Sequence, residues 1–367
     1  MAFDVATQRL ACAHCGHAED LARGPVPTKK DLHAALAQQK AKAKAHRAKA
    51  ASSSAASSAS SSSSSASGSR TELKCRGCGA VVVFAGTLTS SSCAYCDTPL
   101  QVKDAHVEKD SAFNVGNVDA VCTFVVDKAL AKQNLAAWTR SRWFAPADFV
   151  DNAVVEGGVD GVYLPFFLFD AFTVTRYAGQ RGDVHYVEKP TIATEKPQTE
   201  RKVRWSARAG SFERAFRDVV VPAFRSIEAS LLRGLEPWPT HRLRPFTDAA
   251  LHGWQAHKGS VDLDDGFDDA AARIHADLAR DVKQRIGGDE QRVHLQETRM
   301  GGLRYQHVLF PLWIYARRYR GHAYVVVVNA VTGAVHGERP YSAPKIAAVV
   351  VAMLTLLVLL WKFRHDG

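Results

Sequence analysis

Val162-Tyr163-Leu164-Pro165-Phe166-Phe167-Leu168-Phe169 is an unbroken apolar run of strand length, and the chain holds a second version of it. That version is Val308-Leu309-Phe310-Pro311-Leu312-Trp313-Ile314-Tyr315, with proline at the same place. A run this short, rich in aromatic and branched residues, reads as a strand buried on both faces. Proline cannot donate to a β-ladder, so each strand is expected to meet an edge or a bulge there. Each run is followed by a Tyr-x-Gly step, at Tyr177–Gly179 and Tyr319–Gly321. The pattern predicts a duplicated strand–hairpin unit, one sheet built from two halves. The alternative is two unrelated buried strands that look alike by chance.

The segments around these runs mix helix and strand signals, so residues 113–340 read as one α/β domain. Leu130–Phe144 has the pattern of an amphipathic helix ended by Pro146. Phe267, Ala271, Ile274, Leu278, Val282 and Ile286 recur at helical steps and stop at Gly287-Gly288. Asp262–Asp269 lacks the spacing of a calcium loop and reads as the acidic first turn of that helix. Val219–Val221 and Tyr324–Asn329 read as strands, and Asn329–Gly333 as a turn before another short one.

Beyond the domain, Ile346–Trp361 is apolar apart from Thr355, with Lys345 before it and Lys362 and Arg364 after it. At about 1.5 Å per residue it is just long enough for a thin hydrocarbon core. A C-terminal transmembrane helix is expected; the alternative is a buried last helix. Met1–Leu10 has no long apolar core, so the expected location is the cytoplasmic membrane, with a single pass and the bulk of the chain in the cytoplasm.

Six of the seven cysteines form three Cys-x-x-Cys pairs. Cys75, Cys78, Cys93 and Cys96 supply two such turns at ribbon spacing, which predicts a closed four-thiolate site for structural Zn²⁺ over residues 71–102. With every position filled by sulfur, that metal would hold no open site for water. The spacer fits a hairpin of Ala80–Phe84 and Leu88–Ser92. Cys12 and Cys15, with His17 nearby, form half of a second metal site within residues 1–27. Its other half could lie before Met1, come from His17 and His33, or come from another chain; or the half-site is degenerate. Cys122 lies in an apolar run and reads as a core thiol.

The formal charge is +10, and residues 1–74 carry 11 Lys/Arg against 5 Asp/Glu. The basic excess thus belongs mainly to the N-terminal tail, read either as a solvated arm or as a contact for an anionic partner. Residues 28–70 are biased in composition: Thr28–Ala51 reads as a marginal helix, and Ser52–Ser69 as a flexible linker. The linker predicts that the first knuckle moves independently of the rest.

No phosphate-binding Gly-x-x-x-x-Gly-Lys-Ser/Thr loop, His-Glu-x-x-His or Gly-x-Ser-x-Gly motif occurs. His252, His257, His294 and His307 are scattered and read as surface or satisfied core residues. The ribbon, Trp143-Phe144-Ala145-Pro146, Gly161–Asp170, Leu243-Arg244-Pro245-Phe246, Leu251-His252-Gly253-Trp254, Leu309–Trp313 and Val328–Gly333 through Gly337–Tyr341 together resemble bacterial TFIIB-type zinc-ribbon proteins. That resemblance implies two ribbons ahead of an α/β domain, in a family sometimes labelled primosomal or helicase-like and in part similar to partners of phage-shock-type membrane proteins. The chain departs from the pattern in its half first ribbon and its Ser/Ala insertion.

The expected fold class is therefore α+β: a zinc ribbon, a mixed α/β domain at 113–340 with the duplicated unit, and a transmembrane helix at 346–361. The expected function is a non-enzymatic, membrane-tethered adaptor for membrane-associated proteins, with Zn²⁺ as its cofactor. A nucleic-acid-binding ribbon is the alternative, disfavoured because Ala80–Phe84 and Leu88–Ser92 carry no Lys or Arg. An unrecognised enzyme in residues 113–340 is the third reading.

Overall fold

The computed structural model describes residues 2–12, 14–21, 24–41, 70–75, 81–85, 90–93, 95, 99–101, 118–146, 148–149, 158–188, 199–319 and 322–365. The expected Ser/Ala linker lies outside them. In chain order the first elements are β1 (Ala2–Asp4), β2 (Arg9–Ala11), β3 (Ala18–Asp20), β4 (Lys30–Asp31) and helix α1 over residues 32–41. Next come β5 (Arg70–Lys74), β6 (Val81–Ala85), β7 (Ser90–Ser92) and β8 (Pro99–Gln101). The main domain follows with β9 (Ala120–Val121), α2 (Lys128–Arg140), β10 (Asp160–Glu188), β11 (Thr199–Pro222) and the short α3 (Ala229–Arg233). It continues through β12 (Arg244–Pro245), β13 (Gln255–His257), α4 (Leu263–Ile286), β14 (Glu290–Tyr319), β15 (His322–Asn329) and β16 (Val335–Gly337) to α5 (Ala343–His365). The architecture is a mixture of helix and sheet with one C-terminal apolar helix.

The two apolar runs are partners. Val162 pairs with Leu312, Leu164 with Phe310 and Phe166 with Val308, antiparallel. Superposing one run on the other sends each of these pairs onto another pair of the set. A local two-fold axis therefore passes between Leu164 and Phe310. The relation extends outward. β11 begins pairing with β10 at Phe166, and β15 begins pairing with β14 at Leu312, the matching position. The carbonyl of Pro165 accepts from Ala223 N–H, and that of Pro311 from Ala330 N–H. Ala223 O in turn accepts from Ser260 and Val261, and Ala330 O from Val125 and Val126.

Each half thus reads short strand, helix, long strand, return strand: β9-α2-β10-β11 and β13-α4-β14-β15. The halves are intertwined, because β9 lies parallel to β14 and β13 lies parallel to β10. This also explains the prolines, which sit neither at an edge nor at a bulge. Pro165 lies where the neighbour on one side changes from β13, paired at Val162 and Tyr163, to β11, paired from Phe166. Its missing N–H falls in the junction between the two. The register shifts occur further on, around Phe169–Phe172 and at Ala178/Gly179.

Both faces of the paired runs are covered, hence their continuous apolar character. On one face Phe166, Trp238 and Phe310 pack with ring centroids 4.8–5.5 Å apart. On the other, Phe124 stacks on Trp254 at 3.9 Å, and both meet Trp313. A Cβ on Gly161 would come within 2.3 Å of the Trp254 ring, so only glycine lets that indole lie on the strand. Further along, α4 lays Leu263, Ala270, Ile274, Leu278, Val282 and Ile286 over β10 and β11, against Phe169, Phe212 and Phe216.

β10 and β14 are 29 and 30 residues long, several times the usual 5–6. Past the end of α4 they form a projecting arm with β11, where Arg292 lies over the Trp205 ring. The Tyr-x-Gly steps are not equivalent in register. Tyr177 and Gly179 sit inside β10, and Gly321 is outside the described residues.

The N-terminal segments are docked, which corrects the expectation of an independently moving knuckle. Phe3, Leu10 and Leu21 join the buried cluster of Phe124 and Trp313. Phe3 N–H donates to His252 O at 3.0 Å, and Gln8 Nε2 to Phe124 O at 2.6 Å. The basic tail is also partly spent inside the fold. Lys29 bridges Asp170 and Asp218, and Lys30 pairs with Asp119 at 2.6 Å. β4 adds to β14, and Leu32 of α1 is buried against Phe167 and the α4 stripe.

Candidate metal centre and the base of the apolar helix

The three Cys-x-x-Cys pairs occupy three loops of equal length. Ala11 pairs with Ala18 around residues 12–17, Lys74 with Val81 around 75–80, and Ser92 with Pro99 around 93–98. In each loop the cysteines hold the first and fourth positions, and the fifth is Gly16, Gly79 or Asp97. In the first loop Gly16 has φ +70°, a left-handed turn that glycine and aspartate tolerate best. Short antiparallel strands closing such a loop give the backbone arrangement in which two thiolates meet one ion.

Cys75 and Cys93 are each 1% exposed and belong to one buried cluster with Tyr95. Cys78 and Cys96 lie outside the described residues. In the first loop Cys12 N–H donates to His17 O at 2.9 Å, and Gly16 N–H to Cys12 O at 3.0 Å. The backbone N–H of Cys15, then that of His14, then the Cys15 side chain draw the Cys12 thiol down to about 7. Sulfurs solvated by backbone N–H groups suit a divalent, thiophilic ion. Among the described residues no three Cys, His, Asp or Glu side chains converge as a ligand set. Cys12 and Cys15 are brought together, while His17 contributes its carbonyl to the loop and its side chain is exposed.

The segment expected to form a ribbon is joined to the main sheet, which sequence reasoning missed. β6 pairs with β5 on one side and with β13 on the other, Gln255 opposite Phe84 and His257 opposite Val82. β7 pairs with β8, so among the described residues the expected hairpin between Ala80–Phe84 and Leu88–Ser92 is replaced by these pairings. Under the junction, Tyr95 meets the His257 ring edge-on at 5.1 Å. His257 Nδ1 bonds Lys258 O, leaving Nε2 to accept from Ser226 Oγ at 2.9 Å. Burial lowers the His257 pKa to about 4, against the opposing pull of the Lys258 carbonyl, so the imidazole is neutral. Cys122 holds the matching place in the other half, and burial pushes its thiol up to about 12.

None of the apolar span of α5, Ala343–Arg364, is buried, and it is long enough to cross a membrane. Among the described residues nothing covers this last helix, unlike the alternative of a buried one. Its base is built into the domain. Ser342 N–H donates to Phe144 O at 2.8 Å, and Lys345 Nζ donates to Trp143 O and Ala145 O at 3.1 and 2.8 Å. Trp143 and Tyr341 flank this joint and are 62% and 63% exposed.

A cleft of about 530 Å³ opens between the first knuckle and the main domain, beside Trp254 and Trp313. Its carboxylates include Asp4, which accepts from Ala6 and Thr7, and Asp127, which caps α2 through Leu130 N–H at 2.7 Å. These acids hold the backbone in shape.

The chain is 25% identical over 240 residues to the uncharacterized protein YdjG of Bacillus subtilis (strain 168). The match spans 62% of this chain and 65% of that protein's own length. No family model matches the chain, and no solved structure does.

Proposed function

We propose that this chain is a non-enzymatic adaptor that holds a zinc ribbon at the cytoplasmic face of a membrane, where it binds membrane-associated proteins. The observation that carries the reading is α5: an apolar helix with none of its span covered, jointed to the sheet by Lys345 and Ser342. A helix with no polar face has no stable place in water. The ribbon is the part the anchor presents. Zn²⁺ would be held by Cys75, Cys78, Cys93 and Cys96, and it would supply local folding energy and no open coordination site. The resemblance to TFIIB-type zinc-ribbon proteins belongs to the same reading.

The non-enzymatic part is supported by the roles of the candidate acids. Asp4 and Asp127 bond backbone N–H groups, and His257 is neutral and shielded. The nucleic-acid alternative loses weight because Lys29 and Lys30 are engaged by Asp170, Asp218 and Asp119.

Purification of the full chain in detergent tests the reading, followed by elemental analysis and fractionation of a variant lacking residues 343–367. The expected result is one zinc per chain and release of the truncated protein from the membrane. Absence of zinc overturns the ribbon. A truncated protein that stays with the membrane after a high-salt wash overturns the anchor.

A further inference from the structure

A second cleft, of about 650 Å³, lies beside the base of α5. Trp138 and Arg142 form one wall, and His322, Tyr324, Arg339 and Tyr341 form much of the other. Three buried donors line it, Trp138 Nε1, Arg142 Nε and Arg339 Nε, and none meets an acceptor among the described residues. Buried polar groups are almost always bonded, so three unmet donors in one cleft call for an acceptor. Two of the three belong to cations. Arg142 lies over the Trp138 ring at 4.9 Å and Arg339 over the Tyr341 ring at 5.4 Å. Stacking fixes each guanidinium plane and leaves its N–H edges available. Glu338 is the only carboxylate among the described lining residues, and no ion pair joins it to either arginine among the described residues. The unmet atoms are all donors, so the missing component is an acceptor-rich anion. Paired guanidinium groups suit a phosphate.

The place of the cleft narrows the source. Arg339 and Tyr341 come immediately before α5, and Arg142 immediately before Trp143, whose carbonyl receives Lys345. Trp143 and Tyr341 are both exposed aromatics at the foot of an apolar helix. Such rings sit at the level of lipid headgroups. Basic clefts at that depth face anionic lipid.

We propose that this cleft binds the phosphate of an anionic phospholipid headgroup in the leaflet next to the domain. Arg142 and Arg339 grip the phosphate oxygens, and the indole N–H of Trp138 supplies a third bond. The inference rests on reading α5 as a membrane span. A soluble phosphate is the other source of the same chemistry.

The test uses the full chain in maltoside micelles, titrated calorimetrically with dihexanoyl phosphatidylglycerol, dihexanoyl phosphatidylcholine and inorganic phosphate. One saturable phosphatidylglycerol site per chain is expected, at least tenfold tighter than phosphatidylcholine or phosphate. Arg142→Gln and Arg339→Gln should each weaken it tenfold or more, and Arg339→Lys should restore part of the loss. Trp138→Phe removes one donor without touching charge and should weaken binding several-fold; it serves if either arginine variant fails to fold. Equal binding of inorganic phosphate and phosphatidylglycerol overturns the lipid source. Phosphatidylglycerol binding unchanged in the variants overturns the site. Flotation of the wild-type chain with pure phosphatidylcholine vesicles separates the two readings. A chain that fails to float refutes the span, whereas one that floats but shows no arginine-dependent phosphatidylglycerol binding refutes the cleft alone.

Discussion

The two halves of the sheet share a skeleton and differ in what surrounds it. In the first half β9 is flanked by β12, and the place next to its short strand is filled by Cys122, an inert thiol. In the second half β13 is flanked by β6, and the matching place is His257, which supports Tyr95. The first half sends out a 24-residue return strand, the second an 8-residue one that leads toward the apolar C-terminal helix. The common part, centred on Leu164 and Phe310, is the folding core. The divergent parts are where β5–β6 and the apolar C-terminal helix attach.

The largest effect is expected at the axis itself. Phe310→Ala should cost about 3–5 kcal/mol and Leu164→Ala about 2–5 kcal/mol, read by denaturant unfolding of the full chain in detergent. Both side chains are fully buried. A loss below about 1 kcal/mol at either position would show that the halves do not share one core.

The divergent position offers the next test. His257 is neutral when folded, with its pKa lowered to about 4, whereas an unfolded histidine titrates near 6.5. Between those values the unfolded chain binds the extra proton. The stability that His257 contributes is therefore complete above about pH 6.5 and falls as the pH drops to about 4, with no further loss below. The expected change is roughly 3 kcal/mol. His257→Gln should flatten stability over that window, and an unchanged slope would remove His257 as its origin. Cys122, at the matching place, should add no slope there.

A smaller effect belongs to the strap that crosses both halves. Burial tends to raise the Asp218 carboxyl, but hydrogen bonds from Lys29 and Thr240 outweigh it, and the pKa is held below the usual value. Its contribution is present above the unfolded carboxylate pKa and is lost as the pH falls through the folded one. Lys29→Met should cost about 1 kcal/mol at neutral pH, since the site is partly solvated, and the cost should shrink in acid. Thermal unfolding at pH 7 and pH 3 compares the two.

The smallest test changes no stability. Iodoacetamide at pH 8 should leave Cys122 unmodified in the folded chain and modify it after unfolding, as peptide mass spectrometry would show.

The sequence made the shared part of this comparison legible and hid much of the divergent part. Two eight-residue runs with proline in register announced the duplication, because burial on both faces leaves an unbroken apolar signature. The α4 stripe, the Asn329–Gly333 turn and the apolar C-terminal span were readable for similar reasons. The length of β10 and β14 was not. Past Phe172 burial alternates along β10, with Thr173 and Thr175 buried while Phe172 and Arg176 are exposed, and Thr, Arg, Gly and Gln replace the unbroken apolar pattern. β9 and β13 are too short to carry any periodicity, since their partners set them. The seating of Lys29 and the pairing of β6 with β13 depend on contacts far apart in the chain. The phosphate cleft had no signature at all, because Arg142 and Arg339 meet only after folding.

The crossing of short strands between halves has a consequence for synthesis. β9 finds its parallel neighbour in β14, and β10 has most of its length paired to β14 as well. Neither half can complete itself on the ribosome. At roughly 5–20 residues per second, the chain between Phe169 and Tyr315 takes about seven to thirty seconds to appear. For that interval the aromatic strand of the first half has no permanent cover, which is when a chaperone would hold it. α5 follows β15 closely in the chain, so closing the sheet and the appearance of the apolar helix are consecutive events on one clock.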